Sequence, residues 1–123
     1  KTPMPRVELV ANIATILDDM QAGLLTKAEA FRKEHTRVID ARGDFDAFFT
    51  PARGAGSDEK SEIHGGFALA HWSGDPAIEA ELKDKLKVTI RNIPEGVAEA
   101  DGPGTCIFSG APSPRRVLFA KAY

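Results

Sequence analysis

The stretch Cys106-Ile107-Phe108-Ser109-Gly110-Ala111-Pro112-Ser113-Pro114-Arg115-Arg116-Val117-Leu118-Phe119-Ala120-Lys121-Ala122-Tyr123 decides the reading of the fold. Apolar residues run almost to its last position, and it ends on an aromatic. Terminal segments are usually polar and frayed unless they are tied into a sheet or docked. The pattern therefore predicts an ordered strand over Arg116 to Lys121 with a docked terminus. Thr105 to Phe108 has the same character, and Ser109 to Arg115 between them holds two prolines and a glycine. That arrangement predicts a hairpin with a long turn.

Working back along the chain, Glu95 to Gly104 is polar and rich in Gly and Pro, and reads as a loop. Val88 to Ile93, stopped by Pro94, reads as a strand. Gly66 to Trp72 reads as another, with Phe67, Leu69 and His71 alternating with Ala68, Ala70 and Trp72. Ser73-Gly74-Asp75-Pro76 is a turn feeding a helix over 76–87. Asp75 is placed to cap it and Pro76 occupies its first position. Ile78, Leu82 and Leu86 form its apolar stripe, and Glu79–Lys83 and Glu81–Lys85 are favourable i,i+4 pairs. Strand, helix and strand together suggest a crossover with a very short last link. Asp44 to Phe49 is read as a short helix closed by Pro51, and Ala52 to Ser61 as a mobile surface loop.

From Val7 to about Val38 the spacing is helical. Leu9, Val10, Ile13, Ile16, Leu17, Met20, Leu24, Leu25, Ala28, Phe31 and Val38 recur at intervals of three and four. Pro5 suits the start, and Gly23 marks either a bend or a tolerated weak point. A continuous helix of this extent would be roughly 48 Å long at 1.5 Å per residue. The favoured reading is a core helix with one exposed end, its length pointing to a partner domain outside this chain. Helices early and strands late argue an α+β fold in two layers. No internal repeat is present.

At 123 residues the chain is one modest domain, or a domain with an appended helix. A net charge of −2 lacks the basic excess of a free-standing nucleic-acid binder. Cys106 is the sole cysteine, which excludes an internal disulfide and a cysteine-rich zinc site and fits a reducing, cytoplasmic setting. No apolar run approaches membrane-spanning length and no signal peptide is seen. The chain begins at Lys1 rather than Met and is expected to be a piece of a longer protein.

Candidates for chemistry are sparse. His71 is expected to be structural and His35 solvated. His64 precedes Gly65-Gly66, whose amides offer a weak anion site. No triad spacing and no phosphate-loop motif is present. Cys106 in an apolar strand reads as buried and inert. Lys83, Lys87 and Arg91, with Arg115, Arg116 and Lys121, either form one phosphate-binding patch across a sheet or are a solvated face balanced by Glu79, Glu81 and Asp84. Phe67, Trp72, Phe108 and Phe119 sit at strand-alternation positions, which favours core packing over base stacking.

Taken together, Ala30-Phe31-Arg32-Lys33-Glu34-His35-Thr36-Arg37, Gly65 to Trp72, Thr89 to Pro94 and Arg116 to Tyr123 resemble the C-terminal domain of prolyl-tRNA synthetase. The likeness is closer to the form found in archaea, eukaryotes and some bacteria. It implies a small mixed β-sheet with helices on one face, preceded by a long N-terminal helix, similar to the C-terminal domain of a bacterial translation initiation factor. It implies that residues 1–40 link from an anticodon-binding domain and that 41–123 form the C-terminal α+β domain. The whole enzyme would be a cytoplasmic, homodimeric class II ligase that charges tRNA(Pro) with proline using ATP and Mg. Its ATP, proline and tRNA-acceptor residues would lie upstream, so this portion would be non-catalytic and hold no cofactor.

Many relatives hold zinc on four cysteines, and those positions fall here near Trp72–Ser73 and Ile78, and at Cys106 and Ser109. The resemblance then implies a degenerate site that has lost its metal, with Trp72, Ile78 and Phe108 filling the space. It also implies that the terminal carboxylate of Tyr123 reaches toward the catalytic domain. Two other readings stand beside it. One is a small RNA-binding module using Lys83, Lys87, Arg91, Arg115 and Arg116. The other is a degenerate domain kept only for stability.

Overall fold

The computed structural model describes residues 3–50 and 66–122. The readings made on Pro51, on the loop Ala52 to Ser61, on His64-Gly65 and on Tyr123 lie outside the described residues. The chain divides into two compact units, residues 1–34 and 35–123.

The first unit is essentially helix α1, Arg6–His35, 30 residues long. It starts behind Pro5, whose carbonyl accepts the Leu9 N–H at 3.0 Å. It runs unbroken through Gly23, where an added Cβ would meet nothing within 4 Å. Gly23 is therefore a tolerated weak point and not a break. The expected core role is corrected: α1 buries none of its residues. A single helix cannot cover its own apolar stripe. Val10, Leu17, Leu24 and Phe31, spaced by seven, are all at least half exposed.

The second unit opens with a strand that the sequence reading missed, β1 at Thr36–Val38, followed by α2 at Arg42–Phe49. Next come β2 (Phe67–His71), α3 (Pro76–Leu86) and β3 (Val88–Asn92). Two short strands, β4 (Gly104–Thr105) and β5 (Pro112–Ser113), precede β6 (Arg116–Lys121). The main sheet has the order β1-β2-β6-β3. β1 runs parallel to β2, and β6 is antiparallel to both β2 and β3. The sheet is therefore mixed, and the fold is α+β as expected. The β2–α3–β3 crossover is split, because the final strand inserts between its two strands.

Local chemistry explains the crossover. Asp75 caps α3 by accepting the Ala77 N–H at 2.8 Å, with Pro76 at the first helical position. The helix stops one residue earlier than expected, at Leu86. Lys87 takes the left-handed conformation (φ 57°) and its N–H bonds Leu82 O. That left-handed residue reverses the chain at once, so β3 starts at the next position.

The core lies on one face of the sheet. Ala68 and Ala70 of β2 sit opposite Phe119 and Val117 of β6. Small residues on one strand make room for the large ones on its neighbour and for the helices above them. Phe45 and Phe49 of α2, Ile78 and Leu82 of α3, Ile39, Val88 and Cys106 complete the cluster. β2 is also buried on its other face at Leu69 and His71, as a central strand should be.

The expected hairpin of 105–108 with 116–121 does not form. β4 pairs with β5, and β6 pairs with β2 and β3. The chain reverses earlier, at a tight turn in which Gly110 N–H bonds Cys106 O (2.9 Å) and Cys106 N–H bonds Ala111 O (2.8 Å). Gly110 has φ 74°, a conformation that favours glycine. Pro112 and Pro114 lack the N–H groups a longer ladder would need.

Candidate functional site

The turn 106–110 is docked on the end of β2, where the Ile107 N–H donates to His71 O at 3.2 Å. This brings together positions that lie far apart in sequence. Ser73, just past β2, has its Oγ 3.4 Å from Ser109 Oγ. Cys106 is buried at 1% exposure, and Ile78 of α3 joins the same cluster. Trp72 packs against that cluster while its indole N–H donates to Asp75 O at 3.1 Å. Phe108 packs edge-on to Phe45, with ring centres 5.0 Å apart.

Burial pushes the Cys106 thiol up. Hydrogen bonds from the Ser109 hydroxyl, the Phe108 N–H, the Ser73 hydroxyl and the Ser109 N–H outweigh that effect. Together they bring the thiol down from its ordinary 9.0 to about 7. The folded thiol therefore loses its proton before the unfolded one. Its contribution to stability is complete above the unfolded value and is lost as pH falls through about 7. Urea midpoints should rise with pH across this window, and Cys106→Ser should flatten that rise. An identical profile in the variant would show that another group titrates.

The basic residues separate into two places. Lys83, Asp84 and Lys87, with Ala80 and Ala122, line a shallow hollow of about 350 Å³. Arg91 reaches the same end of β6, donating from Nη2 to Lys121 O at 2.6 Å. Arg116 is at the other end of β6, opposite His71, whereas Lys121 is opposite Val88. Five residues of strand span about 17 Å. Arg116 is also engaged by Asp40 (2.7 Å) and by Glu99 O (3.0 Å). Lys83, Lys87 and Arg91 are thus grouped at one end of β6, and Arg116 lies at the other.

Sequence reading also missed Arg42. Its guanidinium donates to Asp46 (3.0 Å) and Glu81 (3.0 Å) and lies 5.2 Å from the centre of the Phe108 ring. It joins α2, α3 and the docked turn. Burial works against its charge, but the bonds to Glu81 and Asp46 outweigh it and raise its pKa. Glu81 is held below the usual carboxylate range by Arg42 first and Lys85 second. The Arg42–Asp46 spacing of four was readable in sequence; the partner 39 residues away was not. His71 is buried, with Nδ1 3.1 Å from Ser113 Oγ. His35, expected to be solvated, is half-buried at the end of α1.

A profile of the family described as "Prolyl-tRNA synthetase, C-terminal" matches residues 58–123. The chain belongs to that family. It is 50% identical over its whole length to Proline--tRNA ligase 2 of Anaeromyxobacter dehalogenans, covering 24% of that protein. It is 40% identical to the Proline--tRNA ligase of Protochlamydia amoebophila, again over its whole length and covering 23% of that protein. Among solved structures it is similar to the prolyl-tRNA synthetase of Cryptosporidium parvum complexed with L-proline and AMP. There the TM-score is 0.63 at 20% identity, over 98% of this chain and 23% of that one, which speaks for the fold. The chain thus spans about a quarter of the length of the relatives it matches.

The zinc that the family likeness implies does not fit the residues present. A structural zinc takes four ligands, mostly thiolate or imidazole. The corresponding positions, Trp72–Ser73, Ile78, Cys106 and Ser109, offer one thiol, two hydroxyls, an indole whose N–H can only donate, and an alkyl side chain. Among the described residues, no three His, Cys, Asp or Glu side chains gather where they could hold a metal ion.

Proposed function

We propose that this chain is the C-terminal, non-catalytic domain of a proline–tRNA ligase, and that it supports the enzyme by buttressing it and positioning its own last residues. The observation that carries this reading is its whole-length match to about a quarter of several Proline--tRNA ligases. ATP with Mg, proline and tRNA(Pro) would act on the remainder of the enzyme, a cytoplasmic homodimer. Residues 1–40 would lead from the anticodon-binding domain, and the apolar stripe of α1 would pack against it. The α+β unit would share the fold of the initiation-factor C-terminal domain.

Tyr123 would carry its carboxylate toward the catalytic domain. Two bonds support such a role by fixing the residues just before it: Arg91 Nη2 to Lys121 O, and the Ala122 N–H to Lys87 O, each 2.6 Å. A second reading, an RNA-binding module, is favoured only by the grouping of Lys83, Lys87 and Arg91 around the hollow.

The test is proline-dependent ATP–pyrophosphate exchange and tRNA charging by the full-length parent, with and without residues 1–123. Charging is expected to fall at least about tenfold on removal, a transition-state loss of ~1.4 kcal/mol. Deletion of Tyr123 alone should lower charging too. Unchanged charging after both cuts would sink the supporting role. A steep salt dependence of tRNA affinity that vanishes without the domain would favour the RNA-binding reading. An intact parent with no proline activity would end both.

A further inference from the structure

We propose that the four-ligand metal knuckle of the family has become a metal-free one in this chain, in which Ser73, Ile78 and Ser109 close around the Cys106 sulfur and hold the turn 106–110 on the end of β2 by hydrogen bonds and apolar packing. The inference rests on family membership and on the geometry of these four residues. It does not depend on the proposed role in charging.

The geometry of a ligand cage is retained. Zinc–sulfur bonds are about 2.3 Å long, so two ligands at tetrahedral positions lie about 3.8 Å apart. Ser73 Oγ and Ser109 Oγ, one from each of the two ligand pairs, are 3.4 Å apart. These two hydroxyls, with the Phe108 and Ser109 N–H groups, are what lowers the pKa of the Cys106 thiol. The chemistry of the cage has changed. Four thiolates need a cation to hold them together, whereas one sulfur surrounded by hydroxyls does not. Ile78, 9% exposed and in the same buried cluster as Cys106, offers only hydrocarbon at the fourth position. A divalent ion there would meet one thiol and an apolar wall, without the further ligands that offset its desolvation.

The turn is tied without a metal. Ser109 Oγ accepts the Ala111 N–H at 3.3 Å and lies 3.4 Å from Ser73 Oγ. The Cys106 and Ile107 N–H groups are held by Ala111 O and His71 O, and the Gly110 N–H by Cys106 O. These bonds join the end of β2 to the turn, and Ile78 of α3 lies in the same buried cluster as Cys106.

The test uses the full-length parent, grown with added zinc and purified without chelator. Zinc content of the wild type minus that of Cys106→Ser should be near zero, whatever zinc other domains carry; a difference near one ion per chain overturns the proposal. In the Ser73→Ala/Ser109→Ala variant, amide exchange over 106–111 should quicken by roughly tenfold or more, as loss of the hydrogen bonds these hydroxyls make implies. Unchanged exchange overturns the hydrogen-bonded cage. Restoring the thiols with Ser73→Cys, Ile78→Cys and Ser109→Cys should add about one chelator-sensitive zinc per chain. A folded triple variant that takes up none would show that these positions do not form a cage. If that variant does not fold, the first two measurements decide.

Discussion

Phe45→Ala is expected to destabilise the α+β unit by about 3–5 kcal/mol, the range for removing a buried aromatic from a packed core. Phe45 is fully buried and sits where three elements meet. Its ring centre is 4.9 Å from Phe49 in α2, 5.0 Å from Phe108 in the docked turn and 5.1 Å from Phe119 in β6. The interplanar angles of 62°, 89° and 84° are all of the edge-to-face kind. Such pairs contribute beyond area burial, by about 0.5–1.5 kcal/mol each. Truncation would leave a cavity walled by rings on a sheet strand, a helix and a hydrogen-bonded turn, none free to collapse into it. The measurement is a urea midpoint at unchanged slope. Phe48→Ala, at a half-buried position beside Phe49, serves as the lesser comparison. A Phe45→Ala loss no greater than the Phe48→Ala loss would show that the cluster does not hold these elements together.

Where local chemistry alone decides an element, the sequence was legible. α3 announced itself through Asp75, Pro76 and the Ile78–Leu82–Leu86 spacing, and it ends one residue short of expectation. β6 spans the expected Arg116–Lys121. β1 was hidden because Val38 continues the three-and-four spacing of α1, and its partner β2 lies about thirty residues further on. A three-residue parallel strand has no local signal. β4 and β5 are two residues each and exist only because the turn between them is closed by its own backbone bonds.

The site was legible to the same degree. Cys106, Ser109, Ile78 and the Trp72–Ser73 position were singled out through a family likeness, and the fold brings them together. Where the basic residues fall was not legible, because pairing register, not sequence proximity, decides which end of a strand a side chain occupies. Arg42 escaped notice because a bond across 39 residues is a property of the tertiary fold.

Gly104→Ala is expected to destabilise the unit by about 2–5 kcal/mol, summing overpacking with the loss of a buried hydrogen bond. An added Cβ would clash with His71 Nε2 and lie 2.6 Å from both Cδ2 and Cε1. The obstacle is space and not backbone conformation. The His71 ring has nowhere to go: it is 6% exposed and projects from the central strand β2. Its Nδ1 lies 3.1 Å from Ser113 Oγ, and that hydroxyl donates to Arg115 O at 2.8 Å. With the Ser113 proton directed to Arg115, Nδ1 must carry a proton and donate to Ser113. Pushing the ring aside breaks that bond and leaves a buried hydroxyl oxygen without its donor. The strain also falls on the β4–β5 pair itself, because Gly104 and Ser113 are partners in it. A double-mutant cycle isolates the contact. In a His71→Ala background the added methyl meets no ring, so Gly104→Ala should cost less than about 1 kcal/mol there. Additive losses in the cycle would mean that the glycine is required for something other than the histidine ring packed against it.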